Sequence, residues 1–253
     1  MHNSTDATRM GPNRTGIQMS PEQTEEMLEE MDALEVDSSA DVLVNGPEDQ
    51  PLSVTRIEYI ALADPLGSVA PPTTLKGAAK STAQMLTGSR PQAFIDKIAE
   101  RLAFERGGTR LYDAVYAKAV AHDTELNKVS VQEILEIRND EARHVLLLNG
   151  CLESLGADPT SQTPCADLVG VTTMGFIQAA ADPRTTLAQT LHVVLSAELI
   201  DNEGWENLIA MARKVGQDQM AERFQQALDE ETVHLSKVRS WYSALTMETA
   251  ELV

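Results

Sequence analysis

Cysteine is nearly absent from this chain of 253 residues: only Cys151 and Cys165 occur, and they form no Cys-x-x-Cys pair. That excludes a thiolate cage of the kind that holds structural zinc or a mononuclear iron. A disulfide between the two is conceivable, but spacing alone does not support it. Aromatic residues make up only 4%, which weakens the case for a sheet-rich core. Basic residues are few, 20 against 39 acidic ones, for a formal charge of −19. This balance argues against nucleic acid and anionic membranes as partners, and its plainest meaning is a solvated acidic surface. No apolar run approaches the ~18 residues of a membrane span. The opening Met1-His2-Asn3-Ser4-Thr5-Asp6 has no apolar segment of a secretory signal, so the expected location is the cytoplasm.

What the chain does have is Ala, Leu, Glu and Met in abundance, which favours helix. Residues 1–20 are polar and read as a mobile arm. Ser20-Pro21-Glu22-Gln23 reads as a capping box opening a helix to about residue 35. Residues 36–75 are rich in Pro, Asp, Gly and Ser and read as mostly irregular, with a short helix over about 76–88 to complete an extension over 21–88. Four long helices then follow. The first, opening at the box Ser89-Arg90-Pro91-Gln92, spans about 91–122. The second opens at the box Ser130-Val131-Gln132-Glu133 and stops at Gly156. A connection over 156–182 holds an apolar segment, Leu168–Ala180. The third helix opens at Asp182-Pro183 and ends near Gly216; the fourth runs from about Asp218 to Met247, leaving a tail over 248–253. Short joints make two antiparallel hairpins, and the long connection reaches across the ~40–48 Å length of the helices at 1.5 Å per residue. The expected class is all-α, a four-helix bundle over 89–247 with the one-crossover, ferritin-like order.

Two Glu-x-x-His pairs, Glu141-Ala-Arg-His144 and Glu231-Thr-Val-His234, lie in the second and fourth helices. Glu105 precedes Glu141 by 36 residues and Glu198 precedes Glu231 by 33. At helical spacing all four glutamates fall within apolar stripes. The first helix turns Ile98, Leu102, Glu105, Gly108 or Thr109, Tyr112 and Tyr116 inward. The third turns Leu191, Val194, Glu198, Asp201 or Asn202, and Trp205 inward. An unpaired carboxylate in a dry core costs several kcal/mol. Four carboxylates and two imidazoles at one level make sense if cations bind them, and oxygen and nitrogen donors suit iron or manganese.

With these motifs, residues 89–247 resemble the ferritin-like di-iron carboxylate proteins such as bacterioferritin and rubrerythrin, and more distantly the di-iron oxygenases. The resemblance implies the ligands Glu105, Glu141, His144, Glu198, Glu231 and His234. It implies that Glu141 and Glu231 bridge two iron ions, with Glu105 and His144 completing one and Glu198 and His234 the other. A mixed manganese–iron or di-manganese pair fits the same donors. Asp140-Glu141-Ala142-Arg143-His144 is similar to the Asp-Glu-x-Arg-His form of the di-iron oxygenases, whereas Glu230-Glu231-Thr232-Val233-His234 lacks the Arg. By the same likeness Asp140 would accept from the distal N–H of His234, and Glu230 from that of His144.

The activity expected is that of a non-haem di-iron oxidoreductase acting on dioxygen or hydrogen peroxide, supplied by a separate electron donor and forming a homodimer or larger homo-oligomer. Ferroxidase-linked iron storage and a metal-holding bundle without turnover are the alternatives. Tyr112 is a candidate catalytic residue, placed to donate to a terminal carboxylate or carry an electron; a core tyrosine with a satisfied hydroxyl is the plainer reading. Gly107-Gly108, costly inside a helix, signals a small pocket or close helix packing. Cys151, Trp205 and Trp241 read as core residues.

Overall fold

The computed structural model describes residues 91–122 and 128–251, with positions 12, 13, 16, 17, 57, 60–63 and 69 before them. The helix expected over 20–35, the one over 76–88 and the Ser20 and Ser89 caps lie outside the described residues. The chain divides into two compact units, Met1–Ala63 and Asp64–Val253. In the first, Pro12–Asn13 (β1) pairs antiparallel with Gly16–Ile17 (β2), a two-residue ladder within the segment expected to be a mobile arm. Residues Ile57, Ile60, Ala61 and Leu62 are helical where irregular chain was expected. Their apolar i, i+3 spacing is the local reason.

Among the described residues, the second unit has five helices. They are α1 (Pro91–Ala121), α2 (Val131–Ser154), α3 (Pro164–Ala181), α4 (Leu187–Lys214) and α5 (Asp218–Glu251). Ser130 caps α2 through its hydroxyl, which accepts from the Glu133 N–H at 3.2 Å. The return bond of a capping box is replaced by an ion pair, as the Glu133 carboxylate meets Lys237 of α5 at 3.0 Å. α2 and α4 end alike. Gly156 and Gly216 adopt φ of 79° and 72°. The Ala157 N–H returns to the Leu152 carbonyl at 2.9 Å, and the Gln217 N–H to the Ala212 carbonyl at 2.8 Å. Both are Schellman closures, which satisfy carbonyls a helix end would otherwise leave bare.

The connection between the hairpins is itself mostly helix. α3 starts beside the beginning of α1, where the Cys165 N–H donates to Asp96 Oδ1 at 3.0 Å. It finishes beside the end of α1, where Lys118 Nζ donates to the Asp182 and Thr185 carbonyls at 2.5 and 2.9 Å. α1, α3 and α5 therefore run one way, and α2 and α4 the other. The expected start of α4 at Asp182-Pro183 is corrected to Leu187. Thr186 takes the cap, closing a full box with Gln189, while Asp182 ends α3 and accepts from Arg184. A threonine with glutamine three residues on satisfies two N–H groups at once, which Asp182 has no partner to match.

Apolar side chains form two clusters rather than one. The first gathers Phe94, Ile98, Leu102, Leu148, Leu152, Trp205, Leu208 and Phe224. The second gathers Leu111, Tyr112, Val115, Ile134, Ile137, Leu191, Val194, Val238 and Trp241. Between them lie Glu105, Glu141, His144, Glu198, Asp201, Glu231 and His234, all buried. Tyr116, expected inward, is 36% exposed, because Val115 takes the inward position after Tyr112 and is fully buried. Both cysteines are free thiols.

Replacing Thr186 by alanine removes the cap that starts α4. Thermal unfolding of Thr186→Ala is expected to show a loss of about 1 kcal/mol, with helix content unchanged.

Candidate metal centre

Each helix of the two hairpins contributes to the polar layer. α1 presents Arg101 and Glu105, α2 presents Glu141 and His144, α4 presents Glu198 and Asp201, and α5 presents Glu231 and His234. Three of these pairs are at i, i+3 and one, Arg101 with Glu105, is at i, i+4, so each pair leaves its helix on one face. The Glu231 carboxylate sits between the two imidazoles: Oε1 is 2.8 Å from His144 Nδ1 and Oε2 is 3.0 Å from His234 Nδ1. His144 Nδ1 also lies 3.5 Å from Glu105 Oε2, and His234 Nδ1 3.9 Å from Glu141 Oε1. On the far side of each ring, His144 Nε2 is 3.0 Å from Glu230 Oε2 and His234 Nε2 is 3.0 Å from Asp140 Oδ2. Arg143 steadies both outer carboxylates, 2.5 Å from Asp140 Oδ1 and 3.5 Å from Glu230 Oε2.

Three overlapping sets of donors have ligand atoms within 4.8 Å of one another. They are Glu105, His144 and Glu231; Glu141, Glu198, Glu231 and His234; and Glu105, Glu141, Asp201 and Glu231. Glu231 belongs to all three. All six residues expected from the sequence meet in this layer, and Asp140 and Glu230 lie where the distal nitrogens point. Tyr112 also reaches it, its hydroxyl donating to Glu198 Oε1. Trp205 packs edge-on against His144, ring centroids 5.5 Å apart, so it is a core residue that also walls the site.

One residue of the layer was left undecided by the sequence reading, and another escaped it. Asp201 was one of two options for an inward place; it is 2% exposed. Asn202 turns sideways to donate to the Glu198 and Glu231 carbonyls at 3.0 and 3.2 Å, tying α4 to α5. Arg101 was not singled out at all, yet it is 4% exposed. Its Nε lies 3.3 Å from Glu105 Oε1 and one terminal nitrogen 3.1 Å from Asp201 Oδ1. The usable signal was the i, i+4 spacing of Arg101 and Glu105.

The glycines answer a question of space. A Cβ at Gly108 would collide with Glu141 Oε2, and one at Gly107 would stand 2.9 Å from the Thr173 Cβ of α3. Close packing is therefore met at both. Beside them an apolar recess of about 10 Å³ is lined by Phe104, Leu111, Thr173, Phe176 and Ala197. That is room for one water-sized molecule.

The donors fit a cation better than they fit one another. Buried oxygens Glu141 Oε2 and Glu198 Oε2 have no hydrogen-bond donor, and Glu105 Oε1 and Oε2, Asp201 Oδ1 and Glu231 Oε1 meet only ion-pair nitrogens of Arg101 or His144 outside hydrogen-bond geometry. Such atoms are rare in a folded core unless something else satisfies them. Oxygen and imidazole donors without sulfur suit iron or manganese. Without cations, protons take their place. Burial and the charge of Glu231 push Glu198 up to about 8. Burial and the neighbouring carboxylates hold Glu141 far above the usual carboxylate range, and Asp201 too, against the pull of Arg101. For His144, burial opposes the proton, but Glu105 and Glu231 outweigh it and carry the ring to about 10; His234 reaches about 9, chiefly through Glu231. Burial also opposes ionisation of Glu231, yet the two rings draw it down to about 2.

These directions set the sign of the pH dependence. Both histidines keep in the fold a proton that the unfolded chain loses near 6.5, so their stabilisation is complete below that pH and fades as pH rises through about 9 and 10. Glu198 acts in the same sense between its ordinary value and about 8. The metal-free protein is therefore expected to lose thermal stability steadily from pH 6 to 10. Saturation with Mn(II) should release protons and flatten that slope, as read by calorimetry in two buffers of different ionisation enthalpy. Gly108→Ala is expected to push Glu141 aside and weaken Mn(II) binding at least tenfold with helix content retained, as read by competition with a chelator.

No protein-family model, curated protein or solved structure matches this chain.

Proposed function

We propose that residues 89–247 form a ferritin-like bundle holding two iron ions, and that the protein is a di-iron oxidoreductase of dioxygen or hydrogen peroxide. The observation that carries this reading is the position of Glu231, whose two oxygens each face the Nδ1 of a different histidine. One carboxylate between two imidazoles is the arrangement a bridged pair of cations calls for. Glu105 and His144 would hold one iron and Glu198 and His234 the other, with Glu141 and Glu231 shared. The order of two hairpins joined by a helical crossover supports the ferritin-like assignment.

Bound iron would supply the redox change and open coordination positions for an oxygen species. The chain's own groups supply the rest. A histidine that binds through Nδ1 must carry its proton on Nε2, and Asp140 and Glu230 stand ready to accept from that N–H. Tyr112 keeps its phenol proton, since burial and then the carboxylates, Glu198 foremost, hold it well above the ordinary tyrosine value. That proton rests on Glu198 Oε1 and leaves Oε2 free for a cation. The apolar clusters above and below exclude water from the layer. An open crevice of about 250 Å³ is lined by Arg143, Leu147, Arg223, Gln226 and Glu230, with His144 at its wall. The chain has no thiolate cage for a second iron centre, so electrons would come from a separate donor.

Glu141→Ala combined with Glu231→Ala is expected to abolish binding of two irons per chain; retention of both by a folded double variant would contradict the site. Stopped-flow absorbance of the ferrous wild type mixed with oxygen or peroxide is expected to show oxidation within seconds. Silence toward both would favour a metal-holding bundle without turnover. A large hollow assembly retaining hundreds of irons would favour storage instead.

A further inference from the structure

The donor layer holds more negative charge than two divalent cations need. Glu105, Glu141, Glu198, Asp201 and Glu231 are five buried carboxylates, and they share the layer with a single guanidinium. Fully ionised, five carboxylates less one guanidinium leave four negative charges, the charge of two divalent ions. Arg101 is thus part of the cation complement, not a neutral bystander.

Its geometry bears this out. The guanidinium touches two members of the third donor set, Glu105 at 3.3 Å and Asp201 at 3.1 Å. A further N–H donates to the Asp201 carbonyl at 3.1 Å, which fixes the plane of the group. The guanidinium carbon lies 4.2 Å from the Phe104 ring centroid and 5.9 Å from that of Trp205. The chain also makes room for it, since any Cβ at position 204 would collide with an Arg101 terminal nitrogen. In the same set Glu141 Oε2 is fully buried and has no donor.

We infer that Arg101 is a built-in cation occupying the position bounded by Glu105, Glu141, Asp201 and Glu231, and that it limits the centre to two metal ions. The inference rests on the dinuclear reading above. Arg101 acts as a positioning residue: it draws Asp201 away from metal ligation and holds one oxygen of Glu105, leaving the other for the His144 side. Its removal uncovers a third carboxylate-only position, which suits a hard divalent ion such as Mn(II).

The test is equilibrium dialysis of the full chain against Mn(II), with metal analysis and far-UV circular dichroism. Wild type is expected to hold two ions, Arg101→Ala three, Arg101→Lys two and the pair Arg101→Ala with Asp201→Asn two. A folded Arg101→Ala variant that holds no more Mn(II) than wild type overturns the role given to Arg101 and leaves the dinuclear reading standing. Wild type holding fewer than two overturns the dinuclear reading, and the difference between variant and wild type still decides the part of Arg101. Should Arg101→Ala unfold without metal, Arg101→Met keeps the packing volume of the stem. Recovery of helix on adding Mn(II) to either variant supports the inference, and no recovery contradicts it.

Discussion

Five carboxylates within one dry layer are the constraint around which this structure is organised. Burying even one unpaired charge costs several kcal/mol, and like charges a few ångströms apart add to that cost. The chain meets the problem in three ways. One guanidinium is fixed inside the layer by Asp201 and Glu105. Two imidazoles flank Glu231. Burial and the neighbouring carboxylates raise Glu141, Glu198 and Asp201, which favours their protonated forms. What these leave uncompensated is a set of bare oxygens, and the fold tolerates it because the apolar clusters on either side hold the four helices in place.

Helix spacing follows from the same demand. α2 and α5 are joined at this level mainly by long side chains, with Lys237 reaching Glu133, His234 reaching Asp140 and His144 reaching Glu230. Their backbones stand apart and leave room between them. α1, by contrast, comes close to its neighbours, and glycines 107 and 108 are what let it do so. α3 lies along α1 and lines the apolar recess beside Gly107 and Gly108 with Thr173 and Phe176.

Much of this was legible in the sequence because it rests on local rules. The i, i+3 placement of glutamate and histidine on α2 and α5 needs only helical periodicity, and Gly156 and Gly216 mark helix ends by their backbone freedom. The start of α4 was misplaced because Asp182-Pro183 has the look of a cap with Pro at the first helical position, whereas Thr186 with Gln189 closes the reciprocal box. Tyr116 was misplaced because a stripe continued by i+4 and one continued by i+3 look alike until the packing of Val115 decides between them. Arg101 was harder to read, because its i, i+4 spacing to Glu105 marks only one of its partners. Its partner Asp201 is a hundred residues away, and the space it fills is made by a glycine, Gly204, whose only message in the sequence is the absence of a side chain.

The central claim is that a pair of cations completes this layer, with Glu231 between them. Anomalous diffraction from crystals of the iron-loaded protein, collected on either side of the iron edge, tests it most directly. Two peaks are expected, one beside Glu105 and His144 and one beside Glu198 and His234, with Glu141 and Glu231 touching both. A single peak, or peaks outside the layer while these oxygens stay bare, would contradict it.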